Sequence, residues 1–137
     1  MIKRSRATVS FLTALLVCAC APTGTTKPTR SGDQSLLDVA SDPYAFDGRD
    51  VSITAWITYR HEDLNAWATA RDHEEWNTVR CLSLSNYDSF DKDLKALDGR
   101  YARISGAVVS DASEGGSLLR FGACRDVAIR LISVSHS

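Results

Sequence analysis

Length, composition and charge indicate a small protein with one folded domain and without the basic surface of a nucleic-acid binder. The chain has 137 residues, with 16 Lys and Arg against 17 Asp and Glu, and its formal net charge is −1. Without Lys3, Arg4 and Arg6, which we expect to be cleaved off, the basic residues fall from 16 to 13 and the charge becomes −4. Nucleic-acid binders depend on a basic patch, so the acidic remainder favours a basic protein as partner, attracted by electrostatic steering.

The N-terminus has the pattern of a bacterial export signal. Its basic residues precede an apolar run, Ala7 to Val17, which is too short to cross a bilayer as a helix because crossing takes about 20 residues. The run ends in Val17-Cys18-Ala19-Cys20, which resembles a lipobox. We therefore predict a signal peptide over residues 1–19 and lipidation of Cys20, whose thiol would receive diacylglycerol. Acyl chains such as palmitate would then hold the protein at a membrane.

The predicted lipid anchor sets the expected location. Lipoproteins similar to this one, with Ala21 rather than Asp after the lipidated cysteine, are generally sorted to the outer membrane. We therefore expect an outer-membrane lipoprotein of the cell envelope whose domain faces the periplasm. Cleavage after Ala21 is the alternative, and it would release a soluble periplasmic protein.

Residues 20–34 are predicted to be a lipidated, flexible tether. They are rich in Thr, Pro and Gly and poor in apolar side chains, so they cannot bury enough surface to offset the entropy of ordering. Residues 35–137 remain for one domain with one core.

The elements of this domain are predicted from capping residues and periodicity. A short helix starts at the capping box Ser35-Leu36-Leu37-Asp38 and ends near Pro43, and a second helix is capped by Asp88, carries Phe90, Leu94 and Leu97 on one face, and ends at Gly99. Strands are predicted over residues 50–60, 66–70, 78–85, 100–110 and 118–134, the last one bent at Gly122, with a turn over residues 111–116.

An internal echo links two of these strands. Residues 46–55 match residues 97–106 at a constant offset, and each copy has an Asp-Gly pair before a strand. The inward-facing residues of the two strands also have matching phases. We interpret the echo as a shared geometry of strand entry.

Three strands, a helix and two more strands is the element order of an OB-fold, a small closed Greek-key barrel. The chain resembles a group of small bacterial exported lipoproteins of unknown function with an OB-fold-like domain. The resemblance rests on Pro43, Tyr44, Phe46, Asp47, Gly48 and Arg49, on Asp98, Gly99, Arg100 and Gly106, and on Gly122, Cys124, Asp126 and Val127; Ala55 departs from the Gly expected there. It implies a mostly β domain with one or two short helices and no particular reaction.

The remaining cysteines predict a disulfide. Cys81 and Cys124 are an even pair in an oxidising compartment, and their spacing fits neither a CxxC redox motif nor a zinc knuckle. Two free thiols are the alternative. In an OB-fold-like barrel the third and fifth strands are neighbours, which would bring the two cysteines together.

The candidate binding surface consists of Trp56, Trp67, Trp76 and Arg103. Trp56 falls on the phase opposite to Val51 and Ile53, so it should point away from the interior, where an aromatic side chain serves as an interface anchor or a stacking platform. The alternative is that other elements cover the tryptophans, and for Trp67 and Trp76 the neighbouring residues do not fix the phase. Arg120 could lie on the same surface as Arg103.

Two acidic, histidine-containing clusters are the other candidates for chemistry. His61-Glu62-Asp63 and Asp72-His73-Glu74-Glu75 could hold a divalent metal or supply an acid–base pair for sugar hydrolysis. Neither cluster has a fixed ligand spacing, so solvated acidic loops are the favoured interpretation. We predict no catalytic residues, no metal and no cofactor.

The predicted function is therefore binding without catalysis. We expect a protein-binding module, either a component of an envelope complex or an inhibitor of immunity type. A module that binds a small ligand or an oligosaccharide is the alternative, and an enzyme is the least favoured class.

Overall fold

The structure is a computed structural model that describes residues 33–113 and 124–137. The predicted signal peptide, Cys20 and nearly all of the tether lie outside the described residues, and so do Arg120 and Gly122. Of the predicted turn over residues 111–116, only residues 111–113 are described. Within the described residues, no helix has the length and apolar character needed to cross a membrane.

The described domain is mostly β, as the sequence predicts, but it contains four short α-helices rather than one or two. The helices are α1 (Leu36–Ser41), α2 (Pro43–Phe46), α3 (Ala70–Glu74) and α4 (Asp91–Leu97). The strands are β1 (Asp50–Arg60), β2 (Asp63–Trp67), β3 (Cys81–Ser85), β4 (Arg100–Val109) and β5 (Ala128–His136). Two 3₁₀ turns, Thr78–Arg80 and Tyr87–Phe90, precede β3 and α4.

The five strands form a sheet whose pairings close into a ring. The order is β1-β2-β3-β5-β4, and β4 pairs with β1 again. Every pair is antiparallel except β3 with β5. Because β3 and β5 lie side by side, Cys81 comes within reach of Cys124, and the two form the predicted disulfide with a Cα–Cα distance of 5.5 Å.

Apolar side chains fill the ring, and helices cover it. The inward positions of β1 and β4 match the predicted phases. Leu36 and Val39 of α1 and Leu94 and Leu97 of α4 belong to the same buried cluster. The two amphipathic helices therefore bury their apolar stripes against the sheet, which is the main reason for helices this short to form.

Several predicted boundaries differ from the structure. The strand predicted over residues 118–134 is β5, which starts at Ala128 and ends at His136; residues 124–127 are described and lie outside it. The strand predicted over residues 66–70 ends at Trp67, because Thr69 caps α3 by accepting a hydrogen bond from the N–H of Asp72. The strand predicted from residue 78 starts at Cys81, after a 3₁₀ turn. Asp88 does not cap the second helix: it lies in a 3₁₀ turn, and α4 starts at Asp91 without a side-chain cap.

The internal echo is a repeated structure at the entry of β1 and of β4. Gly48 and Gly99 have φ of +68° and +71°, a left-handed conformation that glycine adopts without strain. The preceding Asp47 and Asp98 have nearly equal dihedral angles, with φ of −52° and −55°. At Phe46–Arg49 the N–H of Arg49 donates to the carbonyl of Phe46, and these angles correspond to the type II turn.

Each Asp-Gly pair also fastens its strand to the partner strand in the same way. The N–H of Gly48 donates to the carbonyl of Val108, and the N–H of Gly99 donates to the carbonyl of Ile57 at the same 2.9 Å. One carboxylate oxygen of Asp47 accepts the N–H of Ser110 at 2.8 Å, and one of Asp98 accepts the N–H of Tyr59 at 3.0 Å. We call each arrangement an Asp-Gly clamp. The two clamps relate β1 and β4 by an approximate twofold symmetry.

Candidate functional site

A row of three aromatic residues crosses the outer face of the sheet. Trp56 on β1 pairs in register with Trp67 on β2 and with Tyr101 on β4. Residues directly opposite one another in antiparallel strands project from the same face, so the three side chains are neighbours. The ring of Trp56 meets that of Tyr101 edge to face at a centroid distance of 5.2 Å.

Helix α3 and the residues after it add two more rings. His73 and Trp76 lie 5.2 Å and 5.4 Å from the ring centroid of Trp67. The hydroxyl of Tyr101 accepts a hydrogen bond from the N–H of Ala70, which ties the start of α3 to β4. We call this group of five rings the aromatic face, in which Trp67 is the buried base: Trp56, Trp67, His73, Trp76 and Tyr101.

The exposure of these rings increases outward from Trp67. Trp67 is fully buried beneath the others, Trp56 is half-buried, Tyr101 is 42 % exposed and Trp76 is 54 % exposed. For Trp67 the structure agrees with the alternative interpretation, in which other elements cover the side chain. Trp76 also has a left-handed backbone with φ of +52°, which costs a non-glycine residue roughly 1–2 kcal/mol.

A buried polar network lies under the aromatic face. The hydroxyl of Thr58 donates to one carboxylate oxygen of Asp63 at 2.6 Å and accepts the indole N–H of Trp67 at 2.9 Å. The same oxygen of Asp63 accepts the amide of Asn65 at 2.7 Å, and its other oxygen lies 3.1 Å from Nε2 of His73. Because each polar group has a partner, the network can be buried at little cost.

The network joins residues from the two clusters that the sequence singled out. Asp63 comes from the first cluster and His73 from the second, whereas His61 and Glu62 are exposed on the β1–β2 turn. Asp72 is buried and pairs with Arg80 at 2.7 Å, and Arg71 pairs with Glu75. Among the described residues, no three His, Cys, Asp or Glu side chains converge as metal ligands would.

The pair formed by Asp63 and His73 has the spacing of an acid–base dyad, but its surroundings give it a structural role. Both oxygens of Asp63 are engaged inside the domain, and the ring of His73 packs against Trp67. The arrangement ties α3, and with it Trp76, to β2.

The disulfide closes one side of this region. Cys81 pairs in register with Trp67, and Sγ of Cys124 lies 3.1 Å from the side-chain oxygen of Asn65. The hydroxyl of Ser83, also on β3, is buried without a hydrogen-bond partner among the described residues. The disulfide therefore links β3 to the segment before β5 beside the polar network.

Arg103 lies two residues along β4 from Tyr101, on the same outward-facing side, and no contact with the aromatic rings is found for it among the described residues. Its guanidinium donates to the hydroxyl of Ser52 at 3.0 Å and pairs with the carboxylate of Asp33. Asp33 and Gln34, the last residues of the predicted tether, run beside β1, where the N–H of Gln34 donates to the carbonyl of Ser52. Arg103 thus fastens the chain entering the domain.

A second concave region lies at the β1–β2 turn, and it includes His61 and Glu62 of the first acidic cluster. It is an open cleft of about 430 Å³ whose exposed lining is largely apolar. We call it the tyrosine cleft, and its lining residues are Tyr59, Arg60, His61, Glu62, Leu64, Tyr87 and Lys95. The rings of Tyr59 and Tyr87 meet edge to face at a centroid distance of 6.1 Å and an angle of 65°.

Ion pairs and a hydrogen bond fix the walls of the tyrosine cleft. The hydroxyl of Tyr59 donates to Asp91 at 2.9 Å, and the ammonium of Lys95 contacts the same carboxylate at 2.7 Å. Burial, together with the bond to Asp91, raises the pKa of Tyr59 to about 12. The bonds from Lys95 and Tyr59 lower the pKa of Asp91. Arg60 pairs with Asp98 at 3.1 Å on the other side.

Tyr101, Tyr59 and Tyr87 are the site residues that sequence reasoning missed. The sequence contains a signal for Tyr101. The alternation of inward and outward residues that placed Trp56 on the outside of β1 also places Tyr101 on the outside of β4. The sequence contains no such signal for Tyr59 and Tyr87, because their contact joins the end of β1 to a 3₁₀ turn that no periodicity predicts.

Comparisons with known proteins do not assign the chain to a family. No family model matches the sequence, and none of the curated proteins compared with it is a significant match. Function is therefore inferred from the chemistry of the aromatic face and the tyrosine cleft.

Proposed function

We propose that this protein is a lipid-anchored component of the bacterial cell envelope that binds another protein through the aromatic face. Trp76 is the observation that carries the proposal. More than half of its side chain is exposed, and its backbone has a conformation that a bulky residue adopts only at a cost. Exposed Trp and Tyr residues with a packed base are typical binding hot spots of protein interfaces.

The rigidity of the aromatic face supports this function. Trp76 rests on the buried Trp67 and on His73, and His73 is held by Asp63. A ring already fixed in place loses little conformational entropy when a partner covers it. The face is therefore suited to contact a protein surface without rearrangement.

Charge favours a basic partner. The chain without the predicted leader is acidic, and the exposed Glu74, two residues before Trp76, has no ion-pair partner among the described residues. A net negative charge accelerates encounter with a positive surface. The absence of a basic patch in the sequence argues against nucleic acid as partner.

We further infer that the domain is an OB-fold-like Greek-key barrel related to the small exported lipoproteins that it resembles. The strand order β1-β2-β3-β5-β4, with α4 between β3 and β4 along the chain, supports this assignment. So does the parallel pairing of β3 with β5.

The lipid anchor is tested by labelling cells with an alkyne analogue of palmitate. Wild-type protein should incorporate the label and sediment with outer membranes, whereas Cys20→Ala should lose both properties. Cys18→Ala is the matched control and should keep the label. Label that depends on Cys18, or none at all, would reject the anchor at Cys20.

Partner binding is tested by crosslinking and affinity purification from intact envelopes, followed by titration of the purified partner. Trp76→Ala should weaken binding by tenfold or more, as expected for truncation of a hot-spot residue. Tyr44→Ala is the matched control, because Tyr44 is 76 % exposed and lies on α2, outside the aromatic face. Equal affinity of wild type and Trp76→Ala would contradict the proposal.

The same purification distinguishes two kinds of partner. A component of an envelope complex should co-purify with its neighbours from unchallenged cells. An inhibitor of immunity type should capture a cationic toxin only when the toxin is supplied.

A further inference from the structure

We propose that the tyrosine cleft is a second binding site, separate from the aromatic face, and that it takes a neutral oligosaccharide. The cleft lies between the β1–β2 turn, the 3₁₀ turn Tyr87–Phe90 and α4. Its volume of about 430 Å³ falls in the usual range for small-molecule sites.

The inner surface of the cleft fits the apolar face of a sugar ring. Tyr59 and Tyr87 form two walls of a corner, with 65° between their ring planes, and Leu64 lines the same space. Both tyrosines and Leu64 are half-buried. Aromatic rings provide flat apolar surfaces with a polar edge, against which the C–H groups of a pyranose can stack.

The rim of the cleft favours a neutral ligand over an anionic one. Lys95 is paired with Asp91, and Arg60 is paired with Asp98. An anionic ligand would have to break one of these pairs to gain a counter-charge, and the exposed carboxylate of Glu62 would repel it. A hydroxyl group, by contrast, can donate to the carboxylates and accept from the cations while both ion pairs stay intact.

The geometry is also held in place before any ligand arrives. The hydroxyl of Tyr59 is bound to Asp91, which in turn binds Lys95 from the next turn of α4. Preorganised walls reduce the entropic cost of binding. The polar edge of Tyr59 is thereby engaged inside the protein, and its ring remains as a contact surface.

The test uses the full chain as processed by the cell and follows ¹H–¹⁵N chemical shifts during titration. The probes are maltotriose and chitotriose, both neutral, with a galacturonic acid trimer as the charged comparison. We expect a neutral trimer to shift the signals of Tyr59, Leu64 and Tyr87 with a Kd on the order of 1 mM. The charged trimer should bind more weakly.

Variants separate a stacking site from nonspecific binding. Tyr87→Leu keeps apolar volume but removes the ring, and it should weaken binding by about tenfold, the effect of losing one aromatic contact. Tyr87→Phe should bind like wild type, because the ring is retained. Tyr44→Ala, an exposed tyrosine outside the cleft, should leave binding unchanged.

Three outcomes would overturn the proposal. The first is the absence of shifts in the cleft with either neutral trimer. The second is an equal response of wild type and Tyr87→Leu, and the third is preference for the charged trimer. Because Trp76 lies outside the cleft, Trp76→Ala should keep oligosaccharide binding, so the result is independent of the protein-binding proposal.

Discussion

At the scale of single residues, Gly106 shows how one missing side chain makes the fold possible. It lies on β4 where the register with β5 shifts, so that Ser105 pairs with Ser133 and Gly106 pairs with Leu131. A Cβ at this position would overlap the carbonyl oxygen of Arg130 and lie 3.0 Å from Cγ1 of Ile129. Close approach of the two backbones, rather than a positive φ, is the reason for glycine here.

Gly106→Ala should therefore destabilise the domain. Forcing backbone apart at a packed position costs about 1–3 kcal/mol, and the loss is measured as the free energy of unfolding in urea. Ala107→Ser, at the half-buried neighbouring position, is the control and should change stability far less. If the two variants are equally stable, the close contact between β4 and β5 is not maintained in solution.

Tyr59 makes stability sensitive to alkaline pH. Its pKa is raised to about 12 by burial and by the bond to Asp91, against an ordinary value of 10.0. Above pH 10 the unfolded chain loses this proton first, so the free energy of unfolding should fall between about pH 10 and 12. Below pH 10 the stabilisation is complete.

The alkaline effect is measured by comparing Tyr59→Phe with wild type in urea at several pH values. The variant should lose less stability than wild type across this range, because it has no phenol to ionise. Tyr44→Phe, which changes an exposed tyrosine, is the control and should follow wild type. Identical alkaline profiles for all three proteins would contradict the raised pKa.

At the scale of elements, the two Asp-Gly clamps explain why a short echo recurs in the sequence. Each clamp needs a glycine for its left-handed position and an aspartate for the N–H of the partner strand. In both copies a helix precedes the Asp and a strand follows the Gly. The sequence similarity follows from equivalent local geometry at the two ends of the β1–β4 pair.

The contribution of Asp47 to the stability of the domain should decrease at acidic pH. The N–H and side chain of Ser110 lower the pKa of Asp47 from 3.8. Because the pKa of Asp47 is lower in the folded state, its carboxylate stabilises the folded state above pH 3.8, and this stabilisation is lost as the pH falls below that value. Asp47→Asn should therefore be less stable than wild type near neutral pH, and the difference should shrink in strong acid.

This prediction is checked by thermal unfolding of wild type and variant at several pH values. Asp50→Asn is the matched control, because Asp50 is an exposed aspartate at the start of β1 without a side-chain hydrogen bond among the described residues. A difference between Asp47→Asn and wild type that stays constant with pH would show that the carboxylate charge does not strengthen the clamp.

At the scale of the whole molecule, the disulfide links strand β3 to the segment that leads into β5. It joins Cys81 to Cys124 across a sequence separation of 43 residues. Closing a loop of that length stabilises the folded state by roughly 4 kcal/mol in the chain-entropy model. Its position beside Asn65 places this constraint next to the polar network under the aromatic face.

Removal of the disulfide should lower stability without changing the order of the strands. The double variant Cys81→Ala, Cys124→Ala should unfold at lower temperature, with a loss of up to roughly 4 kcal/mol. Wild type treated with a reductant should behave like the double variant, and the reductant should not affect the double variant itself. Equal stability of the oxidised and reduced proteins would show that the link contributes nothing to the fold.

The sequence by itself determined the features that depend on local patterns. The alternation over β1 and β4 gave their bounds nearly to the residue, and Ser35 marked the start of α1. The two cysteines that remain after the predicted leader and the predicted lipidated Cys20 indicated the disulfide. These features are encoded by neighbouring residues, through side-chain periodicity, capping and turn chemistry.

Only the tertiary structure decided which residues meet at the two candidate sites. Trp67 is buried because α3 brings His73 and Trp76 over it, and α3 is a helix that the sequence analysis did not predict. Arg103 pairs with Asp33, which lies 70 positions away in the sequence. Tyr87 packs against Tyr59, which lies 28 positions away. Closure of the strand pairings creates such contacts between distant segments, and no local pattern in the sequence records them.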